Sequence, residues 1–234
     1  MLEILGDIGF RPTHPAIDRA TTFLRKMQEP DGAWYGRWGV NYIYGTSQVL
    51  RGLRAVGLDM DEPWIRRGRD WLEACQNDDG GWGETVASYD DSSLRGKGIS
   101  TPSQSAWALL GLCAFQKVHR ASIERGVDYL VSSQNPDGSW SETLITGTGF
   151  PRVFYLKYDM YRNNWPLMAL ARYAMEVSAN RHEVEVHSAA VTNAELDSAL
   201  QPTQEAAFSS LISSFASLPV FALVKELLTK LNHG

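Results

Sequence analysis

Three acidic strings have residue types suited to proton chemistry: Asp59-Met-Asp61-Glu62, Asp78-Asp79 and Asp90-Asp91. Close carboxylates suit acid–base work because each raises the pKa of its neighbour, so one can stay protonated while the other ionises. Each string also falls where a turn is expected. The first lies just before Pro63, the second inside a Gly-Gly turn, and the third in the loop before Gly96. The sequence favours a solvated turn for all three. His182-Glu-Val-Glu-Val-His187 has two possible metal ligands but sits in a polar stretch without period, and His14 and His119 stand near helix starts as surface residues. Cys75 and Cys113 fall in helical patterns with no metal spacing, which fits buried apolar roles in a reducing compartment. The chain has no Gly-rich phosphate loop, no Gly-x-Ser-x-Gly and no Cys-x-x-Cys. No metal and no cofactor is expected.

The other candidates are aromatic, in a chain with Trp 8, Tyr 9 and Phe 8. A ring face holds negative charge density without acting as a nucleophile, so it can stabilise a cation. Phe154, Tyr158 and Tyr161 are spaced by four and three, so on a helix they would share one face. Ordinary core packing produces the same spacing.

The elements that must position these residues come from a repeat. Gln28-Glu-Pro-Asp-Gly-Ala-Trp34, Gln76-Asn-Asp-Asp-Gly-Gly-Trp82 and Gln134-Asn-Pro-Asp-Gly-Ser-Trp140 are versions of one phrase. Five residues before each Gln comes an aromatic followed by Leu: Phe23-Leu24, Trp71-Leu72 and Tyr129-Leu130. A period near 50 residues means stacked helix pairs. First helices are expected at Ala16–Met27, Pro63–Cys75 and Ala121–Ser133, each with one apolar stripe and each ending at its Gln. Second helices are expected at Thr46–Val56, Ser103–Phe115 and about Asn164–Met175, with N-caps at Thr46, Thr101 or Ser103, and Asn163 or Asn164. Apolar residues surround more of the second helices, which places them in an inner ring under an outer ring of first helices. The phrase itself reads as a structural staple, with Gln28, Gln76 and Gln134 ending the outer helices and Trp34, Trp82 and Trp140 tying each to the next element, by stacking a Gln amide on a Trp ring.

The fold class expected is therefore all-α: an α/α barrel of helix pairs, here a partial one of about three repeats followed by a tail. At an offset of 48, Met1 falls where Val49 sits, inside an inner helix. Either the first helix is naturally short, or the chain is the back part of a longer one. Residues 176–207 are polar and aperiodic and read as a disordered linker, while 208–234 reads as an amphipathic helical segment broken at Pro219. A net charge of -5 and the absence of a Lys/Arg block argue against nucleic acid. No basic n-region opens the chain, and no apolar run is long enough to span a bilayer.

The triple Q-x-x-x-G-x-W phrase resembles the QW repeats of squalene–hopene cyclases and related triterpene cyclases. Gly36-Arg-Trp-Gly-Val-Asn-Tyr-Ile-Tyr-Gly-Thr46, Gly96-Lys-Gly-Ile-Ser-Thr-Pro-Ser-Gln-Ser-Ala-Trp107, Gly147-Thr-Gly-Phe-Pro151 and Tyr155-Leu-Lys-Tyr-Asp-Met-Tyr-Arg162 are similar to the bacterial group. The resemblance covers 1–175, as the C-terminal part of a catalytic α/α barrel. It implies a monotopic enzyme on the cytoplasmic side of the membrane that protonates squalene or a similar polyprene and cyclises it through carbocations to hopene or hopanol. It also implies that Trp38, Phe150, Phe154, Tyr158 and Tyr161 line the cavity, the first three stabilising cations and the two tyrosines shaping the same wall. The family's acid is an Asp-x-Asp-Asp motif with a supporting His. No such motif occurs in this chain, so no catalytic proton donor is assigned to it and the isolated chain is expected to be inactive. An upstream cyclase half-chain is the partner this implies. Arg152 and Val153 depart from the family's small or acidic residues and leave the geometry of that loop open.

The alternative is a non-catalytic truncated product or a lipid-binding or interaction module. A prenyltransferase-like zinc enzyme is disfavoured, because Cys75 and Cys113 lack fitting Asp and His partners.

Overall fold

The computed structural model describes residues 1–115 and 120–195, with side chains to residue 179. Among them the elements run α1 (Leu2–Asp7), α2 (Pro15–Lys26), α3 (Tyr42–Ala55), α4 (Pro63–Ala74), α5 (Pro102–Cys113), α6 (Ala121–Ser132), β1 (Gly147–Phe150), β2 (Phe154–Leu156) and α7 (Tyr161–Glu195). Met1–Asn135 and Ser139–Glu176 form one compact unit. In the second unit, Pro136–Gly138 and Val177–Gly234, the described part is the tip of the third turn and the end of α7. The expected linker thus begins as a continuation of α7 to Glu195. Residues 196–207, the expected segment 208–234 and His119 lie outside the described residues.

The helix pairs form as the periodicity requires. Every residue of α5 is buried, from Pro102 to Cys113, as an inner helix demands. In the outer helices α2, α4 and α6, Ile17, Ile65 and Ile123 are each fully buried at the same register. Proline opens α2, α4 and α5 at the first helical position, where its missing N–H costs nothing. His14 caps α2, its Nδ1 accepting the Ala16 N–H at 3.2 Å. The inner helices approach closely: a Cβ on Gly6 of α1 would lie 2.3 Å from the Ala55 carbonyl oxygen of α3.

Two of the expected inner-helix starts are displaced. α3 begins at Tyr42 rather than Thr46, and α7 at Tyr161 rather than Asn163 or Asn164. Thr46 and Asn163 lie inside their helices, where they accept the backbone N–H of Trp34 at 2.9 Å and of Trp140 at 3.0 Å. Ser105 does the same for Trp82 at 2.8 Å. These polar side chains hold the repeat phrase and do not cap their own helices. Thr101 does cap α5, accepting from Gln104 N–H at 3.2 Å.

The phrase closes the same way each time. The indole N–H groups of Trp34, Trp82 and Trp140 donate to the carbonyls of Leu24, Leu72 and Leu130 at 2.8, 2.7 and 2.8 Å. Gln28 Nε2 donates to Gly32 O at 2.9 Å and, across to the next outer helix, to Trp64 O at 2.7 Å. Gln76 Nε2 donates to Gly80 O and to Ser122 O, both at 2.8 Å. The tie therefore runs through hydrogen bonds to the first turn of the following helix, where an amide stacked on a Trp ring was expected. The Trp34 ring lies over Gly68 of α4 and the Trp82 ring over Gly126 of α6, so close that a Cβ there would come within 2.5 and 2.6 Å.

Candidate aromatic wall

Trp38 sits in the segment between the first phrase and α3, and four partners pin that segment through its backbone. Thr148 N–H donates to Trp38 O at 3.1 Å, and Val40 N–H to Thr146 O at 2.9 Å. The Tyr89 hydroxyl donates to Gly39 O at 2.8 Å, and Gln104 Nε2 to Val40 O at 2.9 Å. With its backbone held from behind, the Trp38 side chain stays 51% exposed. Its ring already carries a cation: the Arg37 guanidinium lies 5.3 Å from the ring centroid.

Phe150 and Phe154 stand on the β1–β2 hairpin, paired antiparallel with an irregularity at Gly149. A Cβ on Gly149 would fall 2.1 Å from the Phe154 ring, so the ring lies directly over the glycine. The two rings meet edge to face at 5.7 Å and are 52% and 44% exposed. Tyr155, pointing to the other face of β2 by strand alternation, stacks on Tyr89 at 5.9 Å. Arg152 turns the hairpin with φ 69, a left-handed conformation unusual for a residue with a side chain. Its guanidinium donates twice to Tyr89 O, at 2.9 and 2.6 Å, and pairs with Asp90 at 3.2 Å. The residue that departs from the family pattern is thus an anchor of the hairpin.

The expected shared helix face of Phe154, Tyr158 and Tyr161 does not form: Phe154 is in β2, Tyr158 follows the strand, and Tyr161 opens α7. Pairing with β1 overrides the helical spacing. Tyr158 and Tyr161 still meet, with ring centroids 4.7 Å apart. A Cβ on Gly147 would lie 2.6 Å from the Tyr158 ring, which sets that ring against the base of the hairpin. Tyr161 goes on to Trp107 at 5.7 Å and Trp165 at 6.1 Å, and Tyr44 meets Trp107 at 5.0 Å. Burial raises the Tyr44 and Tyr161 hydroxyl pKa values above the usual tyrosine range, so both stay protonated donors at neutral pH. Five predicted residues therefore fall into a hairpin pair, a tyrosine cluster and Trp38, all bonded to the 146–158 segment.

Sequence inspection missed Tyr44, Trp107 and Trp165, and it missed a buried polar layer beneath the wall. Glu84 is 4% exposed and its Oε2 accepts the N–H groups of Asn41 at 3.1 Å and Ile43 at 2.9 Å, capping α3 from the next repeat. Glu142 accepts Ser103 N–H at 2.9 Å and Ser103 O–H at 3.0 Å, doing the same for α5. Burial pushes the Glu84 carboxyl up, opposed by its backbone N–H donors. Each Glu stands two residues past a repeat Trp, in Trp82-Gly-Glu84 and Trp140-Ser-Glu142; that spacing was the available signal. The thiols of Cys75 and Cys113 are pushed up to about 12 by burial, so neither is a nucleophile at neutral pH. The side chains of His182 and His187 lie outside the described residues.

The model of the squalene-hopene cyclase C-terminal domain matches residues 1–175. The chain is 48% identical to a squalene–hopene cyclase of Bradyrhizobium diazoefficiens over 190 residues, covering 80% of this chain and 28% of that protein. It is 51% identical to that of Alicyclobacillus acidocaldarius over 177 residues, 76% of this chain and 28% of the other. A dammaradiene synthase of Dryopteris crassirhizoma is 47% identical over 180 residues, 71% of this chain and 26% of that enzyme. The chain spans about 28% of the length of these bacterial relatives.

Proposed function

The chain belongs to the squalene–hopene cyclase family, and on that premise we propose that it supplies part of the aromatic wall of a cavity in which squalene or a similar polyprene cyclises through carbocations. One observation carries this: Trp38, Phe150, Phe154 and Tyr158 keep 37–52% of their surface open, while bonds from other repeats hold the Trp38–Val40 backbone and tie it to Thr146 and Thr148 at the base of the hairpin. Fixed ring faces are what a migrating cation needs, because their charge density requires no reorganisation as the cation forms. Tyr161, with Tyr44 and Trp107 behind it, sets the position of Tyr158.

Protonating an isolated alkene needs a strong, desolvated acid. Asp59, Asp61 and Glu62 are solvent-exposed or nearly so and do not offer one. The acid belongs to another segment, joined to this chain or separate, and without it the chain does not cyclise squalene. Among the described residues no helix is long and apolar enough to cross a membrane. Ile99, Val153 and Met160, exposed at 75, 76 and 68%, support a peripheral seat on a membrane surface.

The test is squalene cyclisation read by gas chromatography, using the purified chain alone and mixed with the acid-bearing part of a homologous cyclase. Product only in the mixture, lost in Trp38→Leu, supports the wall. Product from the chain alone, or from the mixture regardless of Trp38 and Phe150, sinks it.

A further inference from the structure

Trp38 stands on one loop, and Phe150 and Phe154 on a hairpin more than 100 residues later. The two pieces meet at the open end of the hairpin, where Gly39 bridges to Gly147 and Thr148 N–H donates to Trp38 O at 3.1 Å. Phe150 and Phe154 lie at the other end, paired across the turn. A two-stranded ribbon is marginally stable by itself. Rings at its far end keep one position only if something beyond the ribbon holds the turn.

Arg152 holds it. Among the described residues, the hydrogen bonds that leave the hairpin from 150–154 are those of its guanidinium, whose Nε and Nη2 converge on Tyr89 O at 2.9 and 2.6 Å. Its own N–H donates to the Tyr155 hydroxyl at 3.1 Å, and Tyr155 stacks on Tyr89. Tyr89 is 3% exposed, and its hydroxyl donates to Gly39 O at 2.8 Å. One residue therefore grips both pieces, the hairpin turn by its carbonyl and the Trp38 loop by its hydroxyl. The arrangement is kept against a local cost. Every other left-handed residue among the described ones is a glycine, whereas Arg152 sits at φ 69 with a full side chain. Such a conformation persists only where the surrounding contacts over-determine it, and strained residues of this kind cluster at functional sites.

We propose that Arg152 and Tyr89 form a clasp that fixes the spacing of Phe150 and Phe154 from Trp38, with Arg152 a positioning residue for the rings that receive the cation. The inference rests on the reading of these rings as a cavity wall, and it names the residues that set that wall's geometry. A ring face attracts a cation lying within about 6 Å of its centroid. A swing of the hairpin turn therefore changes which carbon of the polyprene bears stabilised charge. A misplacement of about 1 Å at the reacting centre can change a rate about a hundredfold. The clasp thus selects where cyclisation halts, and loosening it lets cations escape to products with fewer rings. The ion pair from Arg152 to Asp90, at 3.2 Å with side chains 65 and 66% exposed, adds little.

Amide hydrogen exchange of the whole chain, resolved by nuclear magnetic resonance, tests the clasp without substrate. Val153 N–H, bonded to Phe150 O, reports on the turn, while Thr148 and Val40 N–H report on the joint with the Trp38 loop. Arg152→Gly removes the guanidinium and the left-handed strain together. It should speed exchange of Val153 and Thr148 at least tenfold while the unfolding midpoint stays level or rises. Tyr89→Phe removes the hydroxyl and keeps the carbonyl, so it should free Val40 and leave Val153 protected. Arg152→Lys, one charged donor in place of a fork, should restore part of the Val153 protection. In the cyclisation mixture, Arg152→Gly should raise the ratio of products with fewer rings at least threefold, with total turnover changing less. Unchanged exchange at Val153 and Thr148, or a rise matched by a lower unfolding midpoint, overturns the clasp. Freed amides with an unaltered product ratio overturn the positioning role. If the parent mixture forms no product, the cavity-wall reading fails by itself, and the exchange rates still decide the clasp.

Discussion

Trp34, Trp82 and Trp140 are 2, 0 and 2% exposed, whereas Trp38, Phe150 and Phe154 are 51, 52 and 44% exposed. The first set recurs with the helix pairs, each indole bonded to a Leu carbonyl ten residues back, and Trp34 and Trp82 pressed on a glycine of the next helix. The second set does not recur. It stands on one loop and one hairpin, with its ring faces open; Tyr89, Gln104, Thr146 and Thr148 hold the backbone of the loop, and Arg152 ties the hairpin turn to Tyr89 O. In the turns the ring itself is the mortar. In the wall the ring is displayed, and polar groups behind it supply the rigidity. Aromatic content alone therefore says nothing of role; what separates structural from functional rings here is whether the face or only the backbone is engaged.

The sharpest way to break this comparison is to truncate one ring of each kind. Trp82→Ala should cost about 3–5 kcal/mol by urea unfolding, as expected for a fully buried indole. Trp38→Ala should cost only a small fraction of that, and equal losses would remove the distinction. Next in size, Gly126→Leu forces a side chain into the Trp82 ring and should destabilise by about 1–3 kcal/mol, while leaving the hairpin intact by near-ultraviolet circular dichroism. Gln76→Ala removes both donations to the backbone and should cost about 1–2 kcal/mol. A smaller effect concerns the layer under the wall. Burial raises the folded-state pKa of Glu84, so the folded chain holds that proton more tightly than the unfolded chain. Stability then falls as pH rises from the ordinary glutamate value through the folded one. Glu84→Gln should flatten that part of the unfolding profile. Smallest in stability is Phe150→Ala at a half-exposed site, within about 0.5 kcal/mol of the parent. Its effect should appear in the product profile of the mixed cyclisation assay.

Much of this was readable in advance. Outer helices expected at Ala16–Met27, Pro63–Cys75 and Ala121–Ser133 end within about a residue of α2, α4 and α6, because an apolar stripe and a Pro-Asp-Gly turn are local signals. The inner-helix starts were misplaced by up to four residues, because Thr46 and Asn163 look like caps and are instead spent on the turn. Phe154, Tyr158 and Tyr161 carried a helical spacing, and strand pairing with Gly147–Phe150 cancelled it.

By itself, then, the sequence determined the repeat, the helix pairs, the three turns and the family, since each follows from patterns within a few tens of residues. Only the tertiary structure decided how the wall is held. Glu84 caps a helix whose first N–H groups lie more than 40 residues earlier, and Gln104 reaches back 64 residues to Val40. Such pairings depend on how successive helix pairs stack, and a buried carboxylate or amide takes whichever open backbone group the stacking brings to it.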